Sequence, residues 1–325
     1  MNKLFASDFG AFVVEVLFTR FGAAFVMADG SVRFTSGESH EAHDGAALCA
    51  VLLPSGEGVI SGGDDGRVKL TTLAGSTELA DLSGKWIDAL AVSGESNLLA
   101  FATGRDVHVR DLTSASFQRR FAHERAVASL SFDPKGRRLA CATYGGVVLW
   151  YARIAEQKPQ MLKWAGSHVL VRYSPDGRFI MSSMQENALH GWRVADNKDM
   201  RMGGYPAKVK SLAFLSKGAL MATSGAPGVV VWPFAGANGP MGKDAVEIGV
   251  DESSLVVRTA GEAAGSRLAA GLSDGRVWTC DLKGAGIDYL KAEKGPPISA
   301  LAVSDDGRLV AYGDEDGGAA VVEVG

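Results

Sequence analysis

Carboxylates stand in pairs at Asp64-Asp65, Asp305-Asp306 and Glu315-Asp316, the residue type that general acid–base chemistry uses. Each pair sits in a short Gly-containing stretch between apolar runs, where Asp is expected for turn geometry alone. Asp314-Glu315-Asp316-Gly317 has a calcium-loop flavour, but its spacing does not match an EF-hand loop. Three cysteines, Cys49, Cys141 and Cys280, form no CxxC pair and no even-numbered framework, so neither a zinc site nor disulfides are expected. They read as small buried hydrophobes in a reducing compartment. No phosphate-cradling GxxxxGK[ST], no HExxH and no GxSxG in a strand–turn–helix setting occurs. No metal and no cofactor is expected.

Composition narrows the classes further. The 325 residues carry a net charge of −4, with 46% hydrophobic and 22% charged residues, and the pI is near 5.9. A chain that binds nucleic acid by bulk charge is not of this kind. Basic residues such as Lys135, Arg137, Arg138, Arg178 and Arg308 alternate with acids, as on a solvated rim. No run of about 18 apolar residues exists to insert in a membrane. The segment Met1 to Phe18 is interrupted by Asp8 and Glu15 and does not read as a signal peptide. A cytoplasmic protein is expected, and the usage of Gly, Ala and Val over Asn has a GC-rich, bacterial look.

The elements that carry these residues form a repeat. A turn ending in Gly or a stand-in is followed by an apolar strand, a tight turn and a second apolar strand. Its anchors are Gly22, Gly56, Ser96, Gly136, Gly177, Gly218, Gly265 and Gly307, with steps of 34, 40, 40, 41, 41, 47 and 42 residues. The clearest copy has a first strand through Val127, Leu130 and Phe132, then the turn Asp133-Pro134-Lys135-Gly136. Its second strand is Leu139 to Ala142, Tyr144-Gly145-Gly146 makes the hairpin, and Val147 to Trp150 is the third strand. A polar fourth stretch follows around Gln160 to Trp164. Second and third strands are apolar on nearly every residue, as in Val229 to Trp232, which fits strands covered on both faces.

A period near forty with this pattern predicts an all-β fold, a single β-propeller of four-stranded antiparallel blades over residues 1–325. Eight anchors argue for eight blades. Seven is the alternative count if the first copy, with its short step, is irregular. The last copy ends at its third strand, so the N-terminal stretch from Asn2 is expected to pair with it and close the ring.

The units resemble WD40 repeats over nearly the whole chain. Ala42-His43, Ala122-His123 and Ser167-His168 stand near the family's Gly-His place. Asp65-Gly66 and Asp274-Gly275 match its Asp-Gly turn, and Trp150, Trp192 and Trp232 match its terminal Trp. Arg110-Asp111-Leu112 and Cys280-Asp281-Leu282 keep the ending without the Trp. The family links His, a second-strand Ser or Thr, the turn Asp and the Trp by buried hydrogen bonds, and no copy here carries all four. His43, Ser61 and Asp65 go with Thr71, and His123, Thr143 and Trp150 go with Tyr144. The blades are therefore expected to lean on apolar packing, with the histidines as structural residues and the tryptophans in the core.

The resemblance implies a non-catalytic scaffold that binds a protein or peptide, with no nucleic-acid partner, alone or as a subunit of a larger complex. It also implies a docking face made of the loops before each first strand and the hairpin turns between second and third strands. Trp86, Arg125, His168, Tyr205, Lys208 and Lys210 fall in such loops. Arg105, Tyr144, Gln185 and Glu315 lie at or beside such turns. Trp86 reads equally as an interface anchor or as a residue tucked between blades. The alternative function is a propeller hydrolase or lyase with acids at the central channel. The long step before Gly265 places extra residues at Ala235 to Asp244, a tolerated insertion or a second contact surface.

Overall fold

The computed structural model describes residues 1–284 and 286–325, and among them every regular element but one short 3-10 turn, Ser216–Gly218, is a strand. The strands assemble into antiparallel sheets by neighbour-to-neighbour pairing. The chain divides into two compact units, residues 1–28, 33–37 and 204–325 in one and 29–32 and 38–203 in the other.

Burial follows the apolar pattern. The second strands Gly58–Gly63, Leu98–Thr103 and Phe179–Met184 are buried at every position. Both faces of these strands are covered, which is why neither shows polar alternation. Fourth strands such as Gln118–Ala122 and Gly75–Asp81 are mostly exposed and polar.

In the first unit, the N-terminal strand Asn2–Asp8 pairs with Gly318–Glu323 and supplies the fourth strand of the sheet that continues through Leu309–Asp314 and Ile298–Val303. Phe5 and Phe9 pack on Phe25, with ring centroids 5.9 and 5.5 Å away. The Ser299 hydroxyl donates to the Val13 carbonyl at 2.7 Å, joining that sheet to the next. The 235–244 segment is a run of reverse turns, with Gly239, Met241 and Lys243 each bonded by the backbone N–H to the residue three before it.

The expected count of eight blades is corrected here. The strands form seven hydrogen-bonded sheets, six of four strands and one of six. The anchors Gly136 and Gly177 share the six-stranded sheet. Its cause is two 14-residue strands, Arg138–Tyr151 and Gln160–Tyr173. The first half of Arg138–Tyr151 pairs with Val127–Phe132 and its second half with Gln160–Tyr173, which goes on to pair with Phe179–Met184. Gly145 and Gly146 take positive φ inside the first long strand, and Gly166 inside the second, so strand pairing persists through the bends. A Cβ at Gly146 would collide with the Leu162 carbonyl.

The polar network persists in altered chemistry. In the second unit, the His43 ring lies 2.8 Å from the Ser61 hydroxyl through Nε2 and 3.1 Å from Asp65 Oδ1 through Nδ1. Burial works to raise the Asp65 carboxyl, but the Arg67 backbone N–H and the His43 ring hold it below its ordinary value. It therefore accepts from Nδ1, which leaves Nε2 to accept from Ser61. In the first unit a tyrosine takes the histidine's place. Trp232 Nε1 donates to the Tyr205 hydroxyl at 2.8 Å, Tyr205 pairs with Thr223 Oγ1 at 2.7 Å, and Thr223 donates to the Val230 carbonyl at 3.1 Å.

His190 of the second unit has no such hydrogen-bonded chain, only the Asp199 carboxylate 3.4 Å from its Nε2. Its ring stacks on Trp164 at 3.9 Å and meets Trp192 edge-on at 4.7 Å, and neither nitrogen has a hydrogen-bond partner among the described residues. Burial pushes its pKa down to about 4, with Asp199 opposing and His168 and Arg201 assisting. The unfolded chain takes up this proton near the ordinary value of 6.5, and the folded protein refuses it until about 4. Stability is therefore lost as pH falls through that window. We expect His190→Phe, which keeps the stacking and removes the imidazole, to recover roughly 2–3 kcal/mol at pH 4.5 relative to its effect at pH 7.5. Urea unfolding at the two pH values measures this, and an equal effect at both would refute it.

Candidate functional site

Within the second unit one cavity of about 580 Å3 gathers several of the residues singled out by sequence. Its first wall is the loop Ala122 to Arg125, between the strands Gln118–Ala122 and Val127–Phe132. Tyr144, at the hairpin inside Arg138–Tyr151, forms a lip. Thr143, Val148 and Trp150 of the same strand make the floor, and Pro159, Met161 and Lys163 close the far side. Alternation in the pleated strands points Val148 and Trp150 to one face, and Met161, paired directly with Val148, lies on that same face with Lys163.

The floor is locked in place. Trp150 stacks on Phe121 with centroids 4.6 Å apart and planes 8° from parallel. Its indole Nε1 donates to His123 Nε2 at 3.0 Å. An indole N–H can only donate, so Nε2 must be the bare nitrogen and Nδ1 carries the proton. Nδ1 faces the Arg105 carbonyl at 3.3 Å, consistent with that tautomer. Burial holds the His123 pKa below its ordinary value, so the ring stays neutral and the indole keeps its acceptor. Where His43 finds Asp65, His123 finds a backbone carbonyl, because Tyr144 stands at the position of the turn aspartate. The side chain thus released is 62% exposed at the cavity mouth.

The other expected surface residues separate into two groups. Trp86 is 65% exposed in the loop between Gly75–Asp81 and Ala89–Ser93, so it is not tucked between blades. Arg105, Arg125, Gln185, Lys210 and Glu315 are exposed and Lys208 is half-buried. Trp86, Arg105, Arg125, Tyr144 and Gln185 belong to the second unit, and Lys208, Lys210 and Glu315 to the first. His168 and Tyr205 are corrections. His168 is 1% exposed, between the Ser182 hydroxyl at 2.8 Å and the Trp164 carbonyl at 3.1 Å. Tyr205 is 7% exposed and held by Trp232 and Thr223. Both are committed to internal bonds and present nothing to a partner.

Sequence reading passed over Trp150, Met161 and Lys163 as parts of the site. It assigned Trp150 to the core, and Trp150 is indeed 9% exposed, but its remaining surface is the cavity floor. The signal was the departure from the repeat, since the copy with Tyr in place of the turn Asp is the one with the cavity.

Asp314 is the one buried carboxylate among the described residues. It accepts from the backbone N–H groups of Asp316 and Gly318 and faces Lys291 at 3.4 Å, as a turn-holding residue does. No group of three or more His, Cys, Asp or Glu among the described residues is arranged to hold a metal. Cys141 and Cys280 are buried, and burial raises both thiols, Cys280 to about 11, which leaves them unreactive.

Comparison with known proteins agrees with this architecture. The family model for the WD domain, G-beta repeat, matches residues 34–71 and 115–151. Two segments of the chain thus match the WD40 repeat, and its fold is that of a β-propeller. The second matched WD40 segment contains the cavity floor and its lip. Among solved structures, the computationally designed Ika8 protein superposes with a TM-score of 0.80 at 19% identity, over 100% of both chains. The C-terminal WD40 domain of Sif2 gives 0.79 at 11% identity, covering 99% of this chain and 98% of that one. The Cps50 (Swd1) β-propeller domain of Myceliophteria thermophila gives 0.70 at 16% identity, covering 87% and 98%. At these identities the likeness is one of fold. No curated protein matches the sequence. No helix among the described residues is long and apolar enough to cross a membrane.

The two buried residues give a direct check. Tyr205→Phe removes the acceptor of the Trp232 indole and a partner of Thr223, and should cost about 1–3 kcal/mol of stability in urea unfolding. Any partner captured by the native protein should bind this variant unchanged. Lost binding at unchanged stability would put Tyr205 back on the surface.

Proposed function

We propose that this WD40-type propeller, one domain over residues 1–325, is a non-catalytic scaffold that binds a protein or peptide. The observation that carries the reading is the exposure of Trp86, Arg105, Arg125, Tyr144 and Gln185, each on a loop or hairpin turn of the second unit. Large exposed aromatics beside arginines are the composition of interface anchors. The sheets beneath them already fix the backbone, so ordering by a partner costs side-chain freedom but little backbone freedom.

The surface electrostatics agree with a protein partner. Asp106 is held below its ordinary value by its hydrogen bond from Arg120, 2.9 Å away, and Lys85, next to Trp86, adds to that field. Paired and unpaired charges of both signs are interspersed, unlike the continuous cationic stripe a phosphate polymer needs. Net charge of −4 points the same way. Cys141 and Cys280, buried and in no disulfide, suit a reducing cytoplasm. The hydrolase or lyase reading has no specific observation in its favour.

Capture from the native cell on the immobilised full chain tests the proposal. Trp86→Ala and Arg125→Glu are each expected to weaken the captured partner about 10-fold or more, the size of an interface hot spot, with unfolding midpoints unchanged. A partner that binds both variants as tightly as the native chain would show that the contact surface lies elsewhere.

A further inference from the structure

The cavity between the 122–125 loop and Tyr144 has the features of a specificity pocket. Its volume of about 580 Å3 falls within the roughly 300–1,000 Å3 of ligand pockets, room for a large side chain and part of its neighbour. One face of Trp150 is spent on Phe121, and the ring is pinned by His123, so its place in the floor is set before any ligand arrives. Val148 adds aliphatic surface. Met161, a flexible and polarizable side chain, can adapt to an aromatic guest. Both lips, Tyr144 and Met161, are exposed large hydrophobic residues, so covering them is itself favourable.

Charge decides what must accompany the apolar group. Four of the nearby arginines are engaged. Arg120 pairs with Asp106 and Arg153 with Asp111, while Arg119 and Arg138 lie over the rings of Phe117 and Tyr151. Arg125 and Lys163, on opposite sides of the cavity, are exposed and have no ion pair among the described residues. Glu124 is the one acid in the lining. The rim is thus cationic on a protein whose overall charge is negative.

Resting on the scaffold reading above, we propose that this pocket receives a peptide segment of the partner in which a phenylalanine-like side chain is flanked by carboxylates. The ring seats on Trp150, Val148 and Met161, and the carboxylates meet Arg125 and Lys163. Specificity follows from the rim, because a lysine-flanked segment would place like charges together.

Three octapeptides of Gly and Ser, carrying Phe-Glu-Asp, Phe-Lys-Lys or Ala-Glu-Asp at the centre, serve as probes. Titration into the purified, 15N-labelled full chain is read at the Trp150 indole N–H resonance. We expect the Phe-Glu-Asp peptide to shift that resonance and to bind at least about 10-fold tighter than the other two. The double variant Arg125→Glu, Lys163→Glu should reverse the preference in favour of Phe-Lys-Lys, and both substitutions are at exposed positions. Tyr144→Ala should weaken binding without reversing it. Equal binding of the three peptides, or an unmoved Trp150 resonance, overturns the pocket proposal. If capture from cells still yields a partner dependent on Trp86, the scaffold reading survives that loss. A peptide effect without any captured partner would leave the pocket standing and the scaffold reading failed.

Discussion

Middle strands buried on both faces are the constraint from which the rest of this structure follows. A strand such as Leu98–Thr103 has no solvent side on which to place a polar residue, and every backbone group it carries must be paired within its own sheet. Polar side chains are then confined to strand ends, fourth strands and turns. Those that do enter the interior come with partners, as His43 does with Ser61 and Asp65, and Tyr205 with Thr223 and Trp232. His190 is an exception, stacked between tryptophans with neither nitrogen hydrogen-bonded and only the Asp199 carboxylate 3.4 Å from Nε2, and its burial is why its protonation opposes folding.

The same constraint explains how a binding surface could arise without disturbing the fold. Where the turn residue is Asp65, it is consumed in holding His43. Where the turn residue is Tyr144, His123 is satisfied by the Arg105 carbonyl and the Trp150 indole. The turn side chain is then released outward. A change at one hairpin position converts an internal bond into an exposed aromatic over a cavity, and the sheet pairing around Gly145 and Gly146 continues through it.

Much of the fold was legible in the chain. The forty-residue period, the Gly and Asp turn residues and the continuous apolar runs are local signals, and they led to four-stranded antiparallel blades and to the pairing of the N-terminal strand with Gly318–Glu323. The sheet count was not legible. Whether two consecutive copies share one sheet depends on whether pairing continues through the bends at Gly145 and Gly166, and a glycine permits either outcome. Of the candidate surface residues, Trp86, Arg125 and Tyr144 could be recognised because loops before first strands and hairpin turns reach solvent. His168 and Tyr205 occupy equivalent places in the chain but turn inward, because Ser182 and Thr223 lie opposite to receive them.

The amino-acid sequence by itself determined the repeat, the strand pattern and the absence of recognisable catalytic motifs, since these depend on neighbours a few residues apart. Only the tertiary structure decided which side chains are spent inside and which remain exposed. Tyr144, Met161, Lys163 and Arg125 lie up to 38 residues apart in the chain, and their convergence around Trp150 is produced by strand register and by the direction each ring takes to satisfy its hydrogen bond. Those are properties of atoms brought together by folding, and no spacing along the chain records them.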